Sequence, residues 1–245
     1  YDKKLLAIDA VNGGVLWTYD VGSRVTSVPA VNDKIVAFNT HSAYVHIIDA
    51  KTGEFRLDFP TAQTYGSVVI SGEKILTADW KGRLRAIDWT KKERFFEKRL
   101  RTVRLYLYMW GLTDYLPLWT GSLWTFAPER CKKLGCLRQS FLGTPVAYGG
   151  VAYVASASGQ IYKVDEFSGE EIWGSSVEAD VTESLVATKN NVLVADASGM
   201  IHAINSETGR SSTRFRVEGS ASTSPIVAGG TLYIGTSAGM LYAID

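Results

Sequence analysis

The stretch AIDAVNGGVLW, residues 7–17, contains the pattern from which the fold of this 245-residue chain can be predicted. Ala7, Asp9, Gly13 and Trp17 follow one another at spacings of two, four and four residues. An Asp side chain can accept hydrogen bonds from the backbone of the turn that it opens. A Gly four residues later can adopt the positive φ that closes such a turn. The stretch therefore predicts two strands joined by a tight turn.

The Asp position recurs along the chain at steps of about 40 residues, a period typical of repeat architectures. The step from Asp88 to Asp165 is about twice as long as the others, which predicts a hidden unit whose Asp position is Ala127. The predicted units end near Asp9, Asp49, Asp88, Ala127, Asp165, Asn205 and Asp245, and the Gly and Trp positions recur at Gly53, Gly169, Gly209 and Trp173.

Each unit divides into short alternating apolar segments separated by turn residues. The last unit contains TSPIVA, TLYIGT and MLYAID, with GG and SAG between them. Four short strands per unit of about 40 residues are typical of a propeller blade. We predict an all-β fold, a β-propeller of about six four-stranded blades in a single domain over residues 1–245. Two alternatives remain open: a closed ring whose last blade borrows residues 15–19 as its outer strand, and a piece of a longer propeller.

The pattern Ala7-x-Asp9-x-x-x-Gly13-x-x-x-Trp17 resembles the signature repeat of the quinoprotein (PQQ-like) β-propellers. YKVDEFSGEEIW, residues 162–173, matches it except for Lys163 at the alanine position. The resemblance implies one of two classes. Dehydrogenases of this family bind pyrroloquinoline quinone and calcium, and many hold a disulfide between adjacent cysteines. Non-enzymatic members include outer-membrane-assembly proteins similar to BamB and sensor domains.

This chain has no adjacent cysteine pair, and six repeats are fewer than the eight blades of the enzymes. We therefore predict a non-enzymatic protein-binding or scaffold module with a protein partner and without a cofactor. A PQQ-dependent dehydrogenase with calcium and a ligand-sensing domain of a larger receptor are the alternatives. A location outside the cytoplasm, periplasmic or at the cell surface, follows from the resemblance alone.

Charge is nearly balanced overall but not locally. The chain has 26 Lys and Arg against 25 Asp and Glu, so no nucleic-acid partner is expected. Residues 91–104 contain seven Lys and Arg against two Glu. The repeat predicts that the first half of this run lies on an outer strand, whose charges would prevent edge-to-edge association. The alternative is a docking patch for an acidic partner, a lipid headgroup or nucleic acid, formed by Lys91, Lys92, Arg94, Lys98, Arg99, Arg101 and Arg104.

A second candidate surface lies where the chain enters the innermost strands. Loops at that position line one mouth of a propeller channel, and ligands favour such concave sites. The mixture of charges with one Tyr suits a small polar ligand or a peptide, and an ordinary hydrated channel mouth is the alternative. The residues are Arg24, Gln63, Tyr65, Gln139, Asp180 and Glu183.

The remaining residues with reactive side chains predict no catalytic or metal site. His46 and His202 occupy the same position of the repeat, which indicates a packing role between blades. Cys131 and Cys136 are predicted to lie in the turn and following strand of the least regular unit, and a disulfide between them remains open. The apolar segment 105–126 contains Asp114 and Pro117, which argue against a membrane span.

Overall fold

The computed structural model describes residues 3–92, 96–110, 112, 119–128, 140–181, 185–221 and 223–245. Within these residues the chain forms 21 β-strands and one α-helix, α1 (Glu97–Met109). All the strands belong to antiparallel sheets in which neighbours in sequence are neighbours in space. The all-β, propeller-type prediction is therefore confirmed.

The strands form six sheets, numbered here from the N-terminal end. The first sheet contains β1 (Lys4–Ile8) and β2 (Val15–Asp20). The second contains β3 (Ala30–Val31), β4 (Ile35–Asn39), β5 (Tyr44–Asp49) and β6 (Phe55–Pro60). The third contains β7 (Val69–Ser71), β8 (Lys74–Ala78), β9 (Leu84–Asp88) and β10 (Ser122–Phe126).

The C-terminal half continues the same pattern. The fourth sheet contains β11 (Val146–Tyr148), β12 (Val151–Ala155), β13 (Gln160–Asp165) and β14 (Glu171–Ser176). The fifth contains β15 (Val186–Ala187), β16 (Asn191–Ala195), β17 (Met200–Asn205) and β18 (Ser211–Arg216). The sixth contains β19 (Ile226–Ala228), β20 (Thr231–Gly235) and β21 (Leu241–Ile244). Four of the six sheets thus have the predicted four strands in the described part of the chain. Residues 15–19 pair with β1 and not with β21.

The second sheet shows how the core is built. Ile35 and Ala37 of β4 pack towards the third sheet, whereas Val36 and Phe38 pack towards the first sheet. Alternate residues of a strand point to opposite faces, so an inner sheet is covered on both sides. The inner strands β3, β7, β11 and β15 lie next to one another in that order. The sheets therefore stand around a common axis, as blades do in a propeller.

The turn between the third and fourth strands of a blade has the predicted chemistry. The Asp49 carboxylate accepts hydrogen bonds from the backbone N–H groups of Lys51 (3.0 Å) and Thr52 (3.1 Å). Gly53 closes the turn with φ +71° and donates its N–H to the carbonyl of Asp49. Asp9 with Gly13, Asp165 with Gly169 and Asn205 with Gly209 form the same turn.

The tryptophan of the repeat joins one blade to the next. Trp17 lies flat against Gly53, where an added Cβ would be 2.8 Å from the ring, and its Nε1 donates to the carbonyl of Ala50 (3.0 Å). Trp173 makes the same pair of contacts with Gly209 and the carbonyl of Ser206. A Gly is needed on the turn because any side chain would occupy the place of the ring.

The predicted unit ending at Ala127 is wrong in register. Residues 122–126 form β10, the outer strand of the third sheet, which pairs with β9. Trp124 lies opposite Ala86, packs on Gly169 and donates its Nε1 to the carbonyl of Glu166 (3.0 Å). Trp124 is therefore the tryptophan of this blade. Cys131 and Cys136, for which a turn and a following strand were predicted, lie outside the described residues.

The outer strand predicted for the first half of residues 91–104 is also wrong, because the outer strand of the third sheet is β10 and helix α1 begins at Glu97. Apolar residues spaced three and four apart, at Leu100, Val103 and Leu107, give this segment a helical period rather than the period of two that a strand needs. Within the described part of the chain, neither α1 nor any other segment has the length and hydropathy of a membrane-spanning helix.

Candidate functional site

One end of the propeller is formed by two kinds of loop, which we call the connector face. Its connectors lead from the outer strand of one sheet into the inner strand of the next, and its turns join the second and third strands of each sheet. One backbone hydrogen bond ties each turn to a connector, from His41 N–H to the carbonyl of Arg24 (2.8 Å) in the second sheet. The equivalent bonds join Trp80 to Gln63, Ala157 to Ser140, Ala197 to Asp180 and Ser237 to Ser220, at 2.8–3.0 Å.

These bonds place the predicted mouth residues. Arg24, Gln63 and Asp180 occupy equivalent positions on three connectors, and Tyr65 lies two residues after Gln63. In the fourth sheet the equivalent position belongs to Ser140, one residue after the predicted Gln139. Gln139 and Glu183 lie outside the described residues. Each connector position precedes its turn partner by the same interval, and this constant spacing, visible in the sequence, would have given the correct register.

The connectors are also bonded to one another around the axis. The N–H of Val28 donates to the hydroxyl of Ser67 (3.1 Å), and the N–H of Ser67 donates to the hydroxyl of Thr144 (2.9 Å). Gly66 comes so close to the next connector that an added Cβ would lie 2.5 Å from the backbone of Gly143. The inner part of the connector face is therefore a fixed platform for its outward side chains.

Charge is divided across the connector face. On the side of the second and third sheets lie the exposed residues Arg24, His41, Tyr65, Lys81 and Arg83. Trp80 stands beside them, with Lys81 Nζ 5.9 Å from the centre of its ring. On the side of the fifth and sixth sheets the exposed residues include the carboxylates Glu178, Asp180 and Glu218. One half of the face is thus basic and aromatic, and the other half contains carboxylates.

Several titratable groups below this face have structural partners. Asp79 and Asp196 occupy the first position of their turns, and both are buried. Asp79 is paired with Arg85, and Asp196 Oδ2 lies 2.7 Å from His202 Nε2. Burial acts to raise the pKa of Asp196, but hydrogen bonds from His202, Ser198 and the Met200 N–H outweigh it and hold that pKa below its usual value.

The other buried histidine stands near the first sheet. His46 stacks on Phe38, with ring centres 5.5 Å apart, and its Nδ1 lies 2.8 Å from Asp58 Oδ1 without the alignment of a hydrogen bond. Burial raises the pKa of the nearby Tyr19 hydroxyl, and the carboxylates of Asp58 and Asp20 raise it further. Both histidines are buried, and their described contacts with Phe38, Asp58 and Asp196 lie within their own sheets, so the packing role between blades stays a prediction.

The connector face presents side chains that can hold a ligand through hydrogen bonds, charge and aromatic contacts. Among the described residues, no three His, Cys, Asp or Glu side chains cluster closely enough to hold a metal ion. What remains exposed is a rigid polar surface with two aromatic residues.

The predicted basic patch lies at the opposite end of the molecule, on and before helix α1. Its exposed residues include Lys91, Lys92, Arg99 and Arg104. Lys91 Nζ lies 3.8 Å from Asp88 Oδ2. Arg94 lies outside the described residues, and Lys98 and Arg101 belong to α1. The structure thus separates the two candidate surfaces that the sequence indicated.

Known proteins resemble this chain in sequence pattern and in fold. The family model described as outer membrane protein assembly factor BamB matches residues 1–111 and 117–245. Among solved structures, BamB from Moraxella catarrhalis is 18% identical, with a TM-score of 0.58 over 99% of this chain and 78% of its own. The computationally designed protein Ika8 is 15% identical, with a TM-score of 0.70 over 99% of this chain and 65% of its own. A search of curated proteins found no match.

Identities this low show a shared fold and nothing finer. The family model, in contrast, extends over nearly the whole chain and includes every sheet described above. It also agrees with the Asp, Gly and Trp contacts that recur from blade to blade. This chain therefore belongs to the family of the outer membrane protein assembly factor BamB, whose members are built from PQQ-like propeller repeats.

Proposed function

We propose that this chain is a non-enzymatic scaffold that binds a partner protein through its connector face. The observation that supports this proposal is the match of the BamB family model to nearly the whole chain, since that family is named for protein assembly. The partner is a protein of the cell envelope. The proposal includes a location outside the cytoplasm, in the periplasm or at the cell surface, because the family name refers to the outer membrane.

The connector face suits a protein partner for two physical reasons. Its backbone is held by hydrogen bonds between connectors and turns, so little conformational entropy is lost on binding. It also exposes Tyr65 and Arg24, residue types that supply much of the energy of protein interfaces. The division into a basic and an acidic half, the latter around Asp180, would orient the partner through electrostatic complementarity.

The binding surface can be tested by crosslinking from single positions. A photo-reactive amino acid is placed at Tyr65, which is 58% exposed on the connector face, and as a control at Phe167, which is 76% exposed at the opposite end. We expect irradiation of cells to join Tyr65, and not Phe167, to a specific protein. Equal products from both positions, or none from Tyr65, would contradict the proposal.

A matched pair of variants tests the same surface by affinity. We expect Arg24→Glu with Tyr65→Ala to weaken binding of the crosslinked protein at least about tenfold, because an anchor side chain and a complementary charge are both lost. Lys189→Glu with Phe167→Ala likewise reverses one basic side chain and truncates one aromatic side chain, but at exposed residues of the opposite end, and should leave the affinity unchanged. Equal effects of the two pairs would show that the connector face is not the site.

The absence of cofactor chemistry is part of the proposal and has its own test. The buried carboxylates Asp79 and Asp196 are engaged by Arg85 and His202, which leaves them unsuited to a metal ion. We therefore expect no change in melting temperature and no spectral change when the protein is titrated with pyrroloquinoline quinone and calcium. Saturable stabilisation by both together would identify a dehydrogenase instead.

A further inference from the structure

The segment between β9 and β10 is an insertion whose two ends are fixed to the propeller, and we call these two ends its stem. Trp89 at its start is buried, and its Nε1 donates to the carbonyl of Gly72 (2.9 Å). Trp119 near its end packs against the same core cluster as Trp89. The N–H of Asp88 donates to the carbonyl of Gly121 (2.7 Å), which joins the two ends. Helix α1 is therefore attached to the propeller at a defined place.

The helix presents a continuous apolar stripe to solvent. Leu100, Val103, Tyr106 and Trp110 are each more than half exposed, and Leu107 is partly exposed between them. Successive residues of a helix are rotated by about 100°, so these positions fall on one side of it. The rings of Tyr106 and Trp110 lie side by side, with centres 5.9 Å apart. Solvent-exposed apolar area of this kind marks a binding surface.

Two arginines lie close to the two edges of the stripe. By the same helical rotation, Arg99 falls about 20° inside the Tyr106 edge and Arg104 about 40° outside the Leu100 edge, and both are exposed. Lys91 and Lys92 are exposed just before the helix. The rest of the chain outside residues 91–104 has 19 basic against 23 acidic residues. Positive charge is therefore concentrated where the apolar stripe is.

We propose that helix α1 binds the surface of a bilayer that contains anionic phospholipids, and lies parallel to that surface. The apolar stripe would enter the boundary between headgroups and acyl chains, while Arg99 and Arg104 contact phosphates on either side. Trp110 and Tyr106 have the amphipathic rings that favour this depth. Arg99 and Arg104 can contact a flat anionic surface at the same time, so such a surface is complementary in charge to the helix. The connector face, at the other end of the propeller, remains open to its partner.

The test is binding of the whole chain to vesicles. Flotation with vesicles of phosphatidylglycerol and phosphatidylcholine is compared with vesicles of phosphatidylcholine alone, at low and at moderate salt. We expect binding to the anionic vesicles only, weaker at moderate salt because the charges are screened. Equal binding to both kinds of vesicle, or to neither, would overturn the proposal.

Two pairs of variants separate the contributions of charge and apolar surface. Reversing Arg99 and Arg104 to Glu should weaken binding about 30-fold or more, since each arginine near an anionic surface strengthens binding about fivefold. Leu100→Asp with Val103→Asp should weaken it at least about tenfold, because apolar area no longer enters the bilayer. These side chains are exposed, so the fold is retained, which the melting temperature checks.

The control reverses two exposed basic residues elsewhere, Lys189→Glu with Arg210→Glu, and should leave vesicle binding unchanged. Loss of binding in this control equal to that of the arginine pair would show a diffuse charge effect and overturn the role of the helix. If the helix variants bind vesicles normally but lose a protein partner, the stripe is a protein interface and the proposal fails. The crosslinking at Tyr65 reports on the connector face in either case.

Discussion

The turn that joins β13 to β14 and the insertion that joins β9 to β10 occupy the same place in two blades. In the turn, Asp165 and Gly169 close the chain within five residues, and Asp165 accepts the N–H groups of Phe167 (2.9 Å) and Ser168 (2.8 Å). In the third sheet, the two ends of the connection are joined by the hydrogen bond from the N–H of Asp88 to the carbonyl of Gly121, and helix α1 lies between these residues in the sequence. The blade geometry thus depends on the ends of this connection and not on its content.

Stability and binding depend on different parts of these two connections. The five-residue turn of the fourth sheet receives Trp124 of the third sheet, so its Gly and its carbonyls contribute to packing between blades. The insertion makes its packing contacts at its stem, through Trp89 and Trp119, while the apolar side of α1 stays exposed. We expect changes at the turn to alter the free energy of unfolding and changes on the helix to alter binding.

The largest expected effect comes from the tryptophan that the turn receives. Trp124→Ala should lower the free energy of unfolding by about 3–4 kcal/mol, because the contact with Gly169 and the hydrogen bond to Glu166 are both lost. Trp110→Ala, on the exposed side of the helix region, should change it by less than about 0.5 kcal/mol. Urea denaturation of both variants measures the difference, and equal destabilisation would contradict the separation.

The glycine of the turn should give the next largest effect. Gly169→Ala should cost about 2–3 kcal/mol, because φ is +76° and the new Cβ would lie 2.6 Å from the rigid ring of Trp124. Gly149 has a similar φ of +63° but open space around its Cβ position. Gly149→Ala should therefore cost only about 1 kcal/mol, the penalty of the backbone conformation alone. If the two variants have the same midpoint in urea, the contact with Trp124 does not matter.

Removal of the insertion tests whether the connection can be simplified. Replacing residues 90–120 by Lys-Thr-Gly rebuilds the short turn of the second sheet, where Lys51, Thr52 and Gly53 follow Asp49 and Ala50. We expect the free energy of unfolding to fall by only about 1–2 kcal/mol, mainly because Trp119 no longer packs against the core. Binding to anionic vesicles should disappear. Loss of the folded state would show that α1 is part of the core and not an addition to it.

The sequence predicted the blades wherever the turn was intact. Asp9, Asp49 and Asp165 each stand before a Gly that the turn requires. The turn is a local feature, since the hydrogen bonds to its aspartate side chain join residues two or three positions apart. A periodic sequence therefore predicts them without knowledge of the rest of the fold.

The third sheet was misassigned because its additional residues amount to nearly one repeat. The interval from Asp88 to Asp165 is close to the length of two ordinary units. A period alone cannot distinguish an inserted segment of that length from a degenerate blade. Trp17 and Trp173 stand 36 residues before the turn glycines Gly53 and Gly209, whereas Trp124 stands 45 residues before Gly169. The spacing of the tryptophans therefore did not reveal β10 either.

The smallest expected effect concerns the stability that the turn aspartate gives to the folded state in acid. The third sheet lacks the five-residue form of this turn, because the insertion replaces it. Backbone hydrogen bonds from Ser168 and Phe167 hold the pKa of Asp165 below its usual value of 3.8, with smaller help from the Ser168 hydroxyl and Lys74. The folded state therefore binds fewer protons than the unfolded chain at acid pH. The resulting stability is present above the unfolded pKa and is lost as pH falls through the lowered pKa. Asp165→Asn should remove this part of the pH dependence.

Asparagine is the right replacement because the chain already uses it at the same position. Asn205 opens the turn of the fifth sheet and accepts the N–H groups of Glu207 (3.0 Å) and Thr208 (2.9 Å) through its amide oxygen. Asp165→Asn should thus keep the turn while the urea midpoint falls less steeply between about pH 5 and about pH 2. The reverse change, Asn205→Asp, should make that fall steeper, because it adds a carboxylate in the same hydrogen-bonded place. If both variants keep the slope of the parent protein, the turn aspartates contribute nothing to acid stability, and the turn owes its stability to its glycine and the tryptophan above it.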